Sequence, residues 1–140
     1  MTLAEVIKAL EGIAIMQPGV NKIVSSGDIY DLNEDRDAKY AVFCASQGTH
    51  SYNYETGENT YNFTLFYVDR LSSDESNKID IQSTALEVLK NILRTFSLEY
   101  DEVIATSDFE VFTERFAALC AGAYTTVSIS SFDNNCVDIF

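Results

Sequence analysis

Basic residues are scarce in this sequence. Nine Lys and Arg stand against 22 Asp and Glu in 140 residues, which gives a formal net charge of -13 at pH 7. Such a charge repels phosphate, and the basic surface that nucleic-acid-binding proteins use is not available. Sequence-specific binding of DNA or RNA is therefore not expected.

Histidine and cysteine, which supply many nucleophiles and metal ligands, are also scarce. His50 is the only histidine, so any Ser-His-Asp triad would have to use it. A dyad with Cys44 would require residues six positions apart in one strand to meet across ~20 Å. Cys44, Cys120 and Cys136 form no C-x-x-C pair, which predicts reduced, buried thiols. We expect no metal, no cofactor and no catalytic residue, and hence no enzyme.

Long apolar runs are missing as well. None approaches the roughly 20 residues that cross a bilayer, so no membrane span is expected. The first residues include Glu5, where a secretory signal needs a basic region and an apolar run. We expect a protein made in the cytoplasm and used without Sec-type export. With 46% apolar residues, residues 1–140 are expected to form a single domain.

The first helix is predicted from Thr2 to Met16. Apolar residues recur there at three- and four-residue spacing, with charged residues between them. Thr2 and Glu5 have the spacing of a capping box, and Pro18-Gly19 provides a stop signal.

The second helix is predicted from about Asn77 to Phe96. Lys90 and Arg94 are expected in its last turns, where they would complement the helix dipole. Its apolar positions form a broad stripe: Ile79, Ile81, Gln82, Ala85, Leu86, Val88, Leu89, Ile92, Leu93 and Phe96. This stripe is predicted to cover a sheet.

β-forming residues alternate with polar turns through the rest of the chain. The predicted strands are Lys22 to Ser26, Tyr40 to Ala45, Asn62 to Val68, Phe109 to Phe112 and Ala123 to Phe132. Residues 114–122 could form a helical turn or continue a strand. Both parities are apolar in residues 65–68, so that segment is expected to be covered on two faces. The predicted fold class is α+β, an antiparallel sheet with a long hairpin packed against two helices.

Residues 28–39 are predicted to form a solvated acidic loop. Asp31, Asn33 and Asp35 copy the D-x-N-x-D opening of a calcium-binding loop. The glycine required at the sixth position is Arg36, however, and the acid required at the twelfth is Val42. A calcium site is therefore not expected.

Tyrosines are concentrated in the predicted hairpin, where residues 46–61 are polar and the turn is expected at residues 55–59. Tyrosine provides a wide contact area with a polar tip, which suits protein interfaces. The alternative, that these rings pack against the sheet, has equal weight. The candidate assembly residues are His50, Tyr52, Tyr54 and Tyr61.

The order of elements resembles that of tail-terminator and neck-ring proteins of tailed bacteriophages. The local sequence resembles structural proteins of Bacteroides phages, including crAss-like phages, over roughly residues 1–132. The resemblance is carried by Phe63-Thr-Leu-Phe-Tyr-Val-Asp-Arg-Leu71, Ile81-Gln-Ser-Thr84, Val88-Leu-Lys-Asn-Ile92 and Cys120-Ala-Gly-Ala-Tyr-Thr-Thr-Val-Ser-Ile129. It implies a virion protein that forms a six- or twelve-fold homo-oligomeric ring in the neck or tail, next to other neck or tail proteins. Double-stranded DNA would pass through the ring without specific binding.

In such a ring, we expect acids of the loop to line the bore or its rim. The candidates are Asp28, Asp31, Glu34, Asp35 and Asp37. One alternative is an acidic inhibitor or immunity protein that mimics the charge of DNA. Another is a small enzyme or ligand-binding domain of a Bacteroides host protein, which would need a pocket that the sequence does not indicate.

Overall fold

The computed structural model describes residues 1–34, 39–100 and 103–133. In chain order, the elements are α1 (Leu3–Ile15), β1 (Lys22–Val24), a 3-10 helix (Ile29–Glu34), β2 (Val42–Gln47), β3 (Ser51–Asn53), β4 (Glu58–Arg70), α2 (Lys78–Tyr100), β5 (Val103–Thr106), β6 (Glu110–Arg115) and β7 (Leu119–Phe132). The fold is α+β, as predicted.

The strands form one mostly antiparallel sheet. Its order is β1-β2-β4-β7-β5, with β3 paired to β4 beyond the end of β2, and β6 paired to β7 beyond the end of β5. Among the described strands, only β1 and β2 pair in parallel. The long strands β4 and β7 pair from Glu58–Phe132 to Arg70–Cys120 and form the centre of the sheet.

Helix α1 begins as predicted, because its first turn has the local hydrogen bonds of a capping box. The Glu5 backbone N–H donates to Thr2 Oγ1 over 3.2 Å, and the Thr2 N–H donates to Glu5 Oε1 over 3.0 Å. The helix runs along the sheet in a defined direction. Tyr61 Oη donates to the Met1 carbonyl at its start, and Tyr67 Oη donates to the Gly19 carbonyl beyond its end. It therefore points away from the β3–β4 turn.

Helix α2 is the longest helix and packs on β4, β7 and α1. Its buried residues are Ile81, Ala85, Val88, Leu89, Ile92, Leu93 and Phe96, as the predicted stripe required. Two details of the prediction were wrong. Ile79 is 71% exposed, because it lies on the side away from the sheet. The helix also extends to Tyr100, so Lys90 and Arg94 lie before the last turn.

The sheet has two unlike faces. Both helices cover the inner face, where Phe43, Phe63, Leu65, Val127 and Ile129 are buried in the main core. Alternate residues of the same strands point to the outer face. A smaller outer cluster contains Val42, Cys44, Val68 and Cys120. Residues 65–68 are thus covered on both faces, as predicted.

The prediction of a solvated loop at residues 28–39 was wrong for its first half. Residues 29–34 form a 3-10 helix, and Ile29 and Leu32 are 3% and 1% exposed. These two side chains are three positions apart, so they lie on the same side of a 3-10 helix. They cover part of the outer face and pack in the smaller cluster.

The C-terminal strands are longer than predicted. Strand β6 continues to Arg115 and β7 begins at Leu119, so residues 114–122 continue a β-hairpin and form no helical turn. Val127 and Ile129 face the core, while Thr126, Ser128 and Ser130 face outward, as predicted. Strand β5 was not predicted. It pairs with residues 127–130 of β7.

Candidate assembly surfaces

The hairpin arm, residues 51–60, presents two tyrosines to solvent. Tyr52 is 51% exposed and Tyr54 is 81% exposed. The turn between β3 and β4 is firmly held. The Gly57 N–H donates to the Asn53 carbonyl over 2.8 Å, and Gly57 has a left-handed backbone with φ of 73°, which favours glycine. The arm thus holds Tyr54 at its tip on a well-defined turn.

His50 lies where β2 breaks off and β3 begins. Its Nδ1 accepts a hydrogen bond from the Asn62 backbone N–H over 3.2 Å, and its Nε2 lies 3.1 Å from Gln47 Oε1. The ring also packs against Tyr61 and Phe63, with centroid distances of 5.7 and 5.6 Å. These contacts connect the broken edge to β4, so the histidine helps to hold the arm in place.

The remaining hairpin tyrosines point toward the helices. Tyr61 is half-buried, and its hydroxyl donates to the Met1 carbonyl over 2.9 Å. Tyr67 is buried beside Gly19, and desolvation raises its pKa to about 12. Of the predicted assembly residues, only Tyr52 and Tyr54 therefore present a large exposed area.

Two of the predicted bore acids lie in described positions. Asp28 is exposed, and its Oδ1 accepts the Tyr30 N–H over 2.9 Å at the start of the 3-10 helix. Asp31 is exposed on the same helix. The side chain of Glu34, and the whole of Asp35 and Asp37, lie outside the described residues. The structure thus places Asp28 and Asp31 on the side of the sheet opposite the helices.

The described cysteines are unsuited to nucleophilic chemistry. Cys44 and Cys120 are free and fully buried. Burial raises the pKa of Cys44 to about 11, because the thiolate would lose its hydration. Within residues 1–34, 39–100 and 103–133, His, Cys, Asp and Glu side chains form no group of three or more that could hold a metal ion.

At the hairpin end of the sheet, Glu58 and Phe132 lie at the edge of the outer face, and most of the other side chains are small and uncharged. These small side chains, which form the upper outer face, are Ser46, Ser51, Thr60, Asn62, Thr64, Thr126, Ser128 and Ser130. Several of these groups already hydrogen-bond to one another or to a neighbour. Ser128 Oγ donates to Asn62 Oδ1 over 2.5 Å, and Thr126 Oγ1 lies 2.6 Å from Ser107 Oγ. Because these groups are paired, covering the face would leave fewer polar groups unsatisfied.

A groove of about 380 Å³ runs between α1 and α2. Ala9, Gly12 and Ile13 of α1, with Met16 just past its end, line one side, and Thr95 and Tyr100 of α2 line the other. Lys8 and Glu99 add one charge of each sign. A Cβ atom on Gly12 would meet no atom within 4 Å, so the glycine leaves open space in the groove. Met16 is 81% exposed beside it.

The chain matches no family model and no curated protein at a significant level. Among the described residues, neither helix is both long enough and apolar enough to cross a membrane.

Sequence reasoning missed the groove and the upper outer face. A signal for the groove was present, because glycine is unfavourable in the middle of a helix and Gly12 interrupts an otherwise strong pattern. The outer face had a weaker signal in the alternation of Thr126, Ser128 and Ser130 with apolar residues. That alternation predicted which residues face outward but did not indicate that the described helices leave this face open.

Proposed function

We propose that this chain is a structural subunit that forms a homo-oligomeric ring in the neck or tail of a tailed bacteriophage. The observation that carries the proposal is the presence of two unlike surfaces, at different places on a small chain, that no described residue covers. One is the tyrosine-bearing tip of the hairpin arm, and the other is the groove between the helices. The sequence resemblance to phage structural proteins supplies the setting.

Two unlike surfaces are what a closed ring requires. When one surface of each copy binds a different surface of the next, the contact is heterologous, and repetition closes a ring if the rotation between copies allows it. A pair of copies related by a two-fold axis would instead use one self-complementary surface. An exposed aromatic side chain at the end of an arm fits the heterologous case, since aromatic residues are enriched in interface cores.

The charge of the chain suits a channel for DNA. Six copies at -13 each carry -78 and twelve carry -156, so a ring repels the phosphates that pass through it. A basic bore would release counterions at each contact and hold the genome in transit. Asp28 and Asp31, which are exposed on the outer side of the sheet, are the described candidates for the bore or its rim.

Native mass spectrometry and negative-stain imaging of the full chain test the proposal. We expect rings of one defined stoichiometry, and we expect association to strengthen between about 0.02 and 0.2 M salt, because screening weakens the repulsion between acidic copies. A gel-shift assay with double-stranded DNA should show no binding. A chain that stays monomeric or dimeric at every salt concentration contradicts the ring. That result is the one expected of an acidic DNA-mimic inhibitor or immunity protein.

A further inference from the structure

The groove between α1 and α2 is of a size and chemistry that suit an aromatic side chain. Its volume of about 380 Å³ lies within the range of clefts that hold small ligands, about 300 to 1,000 Å³. Its sides are apolar at Ala9, Ile13 and Met16, and the missing side chain of Gly12 leaves the space open. The polar groups of Lys8, Thr95 and Glu99 could bond a phenol hydroxyl.

Tyr54 is the tyrosine best placed to enter such a groove. It is the most exposed tyrosine of the described chain, at 81%, and it lies in a turn that Gly57 and Asn53 hold in place. Presentation on a fixed turn lowers the entropy lost on binding. Glu55 is exposed next to Tyr54, and Lys8 is exposed at the groove. Glu55 is opposite in charge to Lys8 on the α1 side of the groove and like in charge to Glu99 on the α2 side, so the charges favour Glu55 on the α1 side.

Tyr54 cannot reach the groove of its own copy. Helix α1 starts level with Tyr61 and ends level with Tyr67, whereas the arm extends beyond Glu58 in the opposite direction. Gly12 lies about 15 Å along the helix from its start, since each residue adds about 1.5 Å. The two surfaces can therefore meet only between copies.

We propose that Tyr54 of one copy inserts into the groove between α1 and α2 of the next, with Glu55 facing Lys8, and that this contact joins neighbouring subunits. The inference rests on the proposed function and specifies its interface. The contact is heterologous, because the arm and the groove are different surfaces. One copy can then bind a neighbour through each surface at once, as a ring requires.

The first test removes the aromatic side chain that is proposed to insert into the groove. Tyr54→Ala should weaken self-association by at least about 30-fold, the effect typical of a central interface tyrosine. Tyr54→Phe keeps the aromatic ring and should lose much less. Tyr30→Ala is the matched control, because Tyr30 is also exposed, at 52%, but lies on the opposite side of the sheet. Analytical ultracentrifugation across a concentration series measures all three.

The second test fills the groove. Gly12→Leu should leave the fold intact, since its Cβ meets no atom within 4 Å and glycine is the weaker helix former. Its melting temperature should equal or exceed that of the parent while self-association falls as it does for Tyr54→Ala. A charge exchange completes the test. Glu55→Lys and Lys8→Glu should each weaken association, and the double variant should recover most of the loss.

The outcomes distinguish failure of the proposed contact from failure of the proposed ring. If Tyr54→Ala and Gly12→Leu form rings as well as the parent does, the proposed contact is wrong and the ring proposal stands. If the parent forms dimers or open chains that both variants abolish, the contact stands and the ring proposal is wrong. A parent that is monomeric at every concentration and salt level overturns both.

Discussion

The two faces of the sheet are built from the same strands but from different chemistry. In β7, the inner residues Val127 and Ile129 are 1% and 0% exposed beneath the helices. Their neighbours Thr126, Ser128 and Ser130 lie on the outer side as small polar groups. Burial of apolar area supplies most of the free energy that stabilises a fold, so the inner face contributes most of the stability. The upper outer face contributes less to stability, and its side chains can take part in contacts with other molecules.

The buried outer-face cluster around Val68 departs from this division, and Gly122 beside it gives the largest expected effect. Gly122 follows the outer parity of β7 and pairs with Val68, yet a methyl group there would overlap the backbone carbonyl of Tyr67. The overlap cannot be relieved by a shift of β4 or β7, because such a shift would disturb the hydrogen bonds that pair these two strands. We expect Gly122→Ala to lower the free energy of unfolding by more than about 4 kcal/mol, a loss that only severe mechanisms such as strain produce. Urea denaturation measures it, and a loss below about 1 kcal/mol would show that the strands can separate locally.

The inner face should respond strongly at its most buried side chains. Leu89 of α2 is fully buried against the sheet. Leu89→Ala should cost about 2 to 5 kcal/mol, because it removes apolar contacts and leaves a cavity. Thermal melting followed by circular dichroism provides the measurement. A melting temperature within a degree of the parent would show that α2 is not the main cover of the sheet.

The upper outer face should respond least. Ser130 is adjacent to the buried Ile129 but points to the other side of β7. Ser130→Ala is expected to change the free energy of unfolding by no more than about 0.5 kcal/mol, as for most surface substitutions. Ile129→Ala, the matched change one residue away, should cost several times more. Equal losses at both positions would mean that the outer face also carries the fold.

Local signals predicted the parts of the fold that depend on neighbouring residues. The Thr2–Glu5 capping box fixes the start of α1, and the alternation of residues 126–130 fixes which face each side chain joins. The 3-10 helix was missed because charged residues surround Ile29 and Leu32, whose spacing was nonetheless the relevant signal. Strand β5 was missed because its four residues gain their pairing from β7, which lies far along the sequence.

The candidate surfaces were predicted only in part, because exposure depends on contacts between distant residues. Tyr54 and Tyr61 look alike in the sequence. Tyr61 is half-buried and donates a hydrogen bond to the Met1 carbonyl, 60 positions away, whereas Tyr54 is exposed at the tip of the arm. The groove depends on how α1 and α2 pack. That packing brings Gly12 and Thr95 together from opposite parts of the chain, and no local pattern records it.

The borders of the sheet have a consequence for how safely many copies can be crowded together. On one side the border consists of β1, the end of β2 beyond β1, and β3, and β1 and β3 are three residues long each. On the other side it is divided between β5 and β6, with residues 107–109 between them. A long, uninterrupted border would offer a row of free backbone groups on which a second chain could extend the sheet, and repetition would produce fibrils. Short and broken borders provide no such template. A chain with such borders is protected against extension of its sheet when many copies are crowded together.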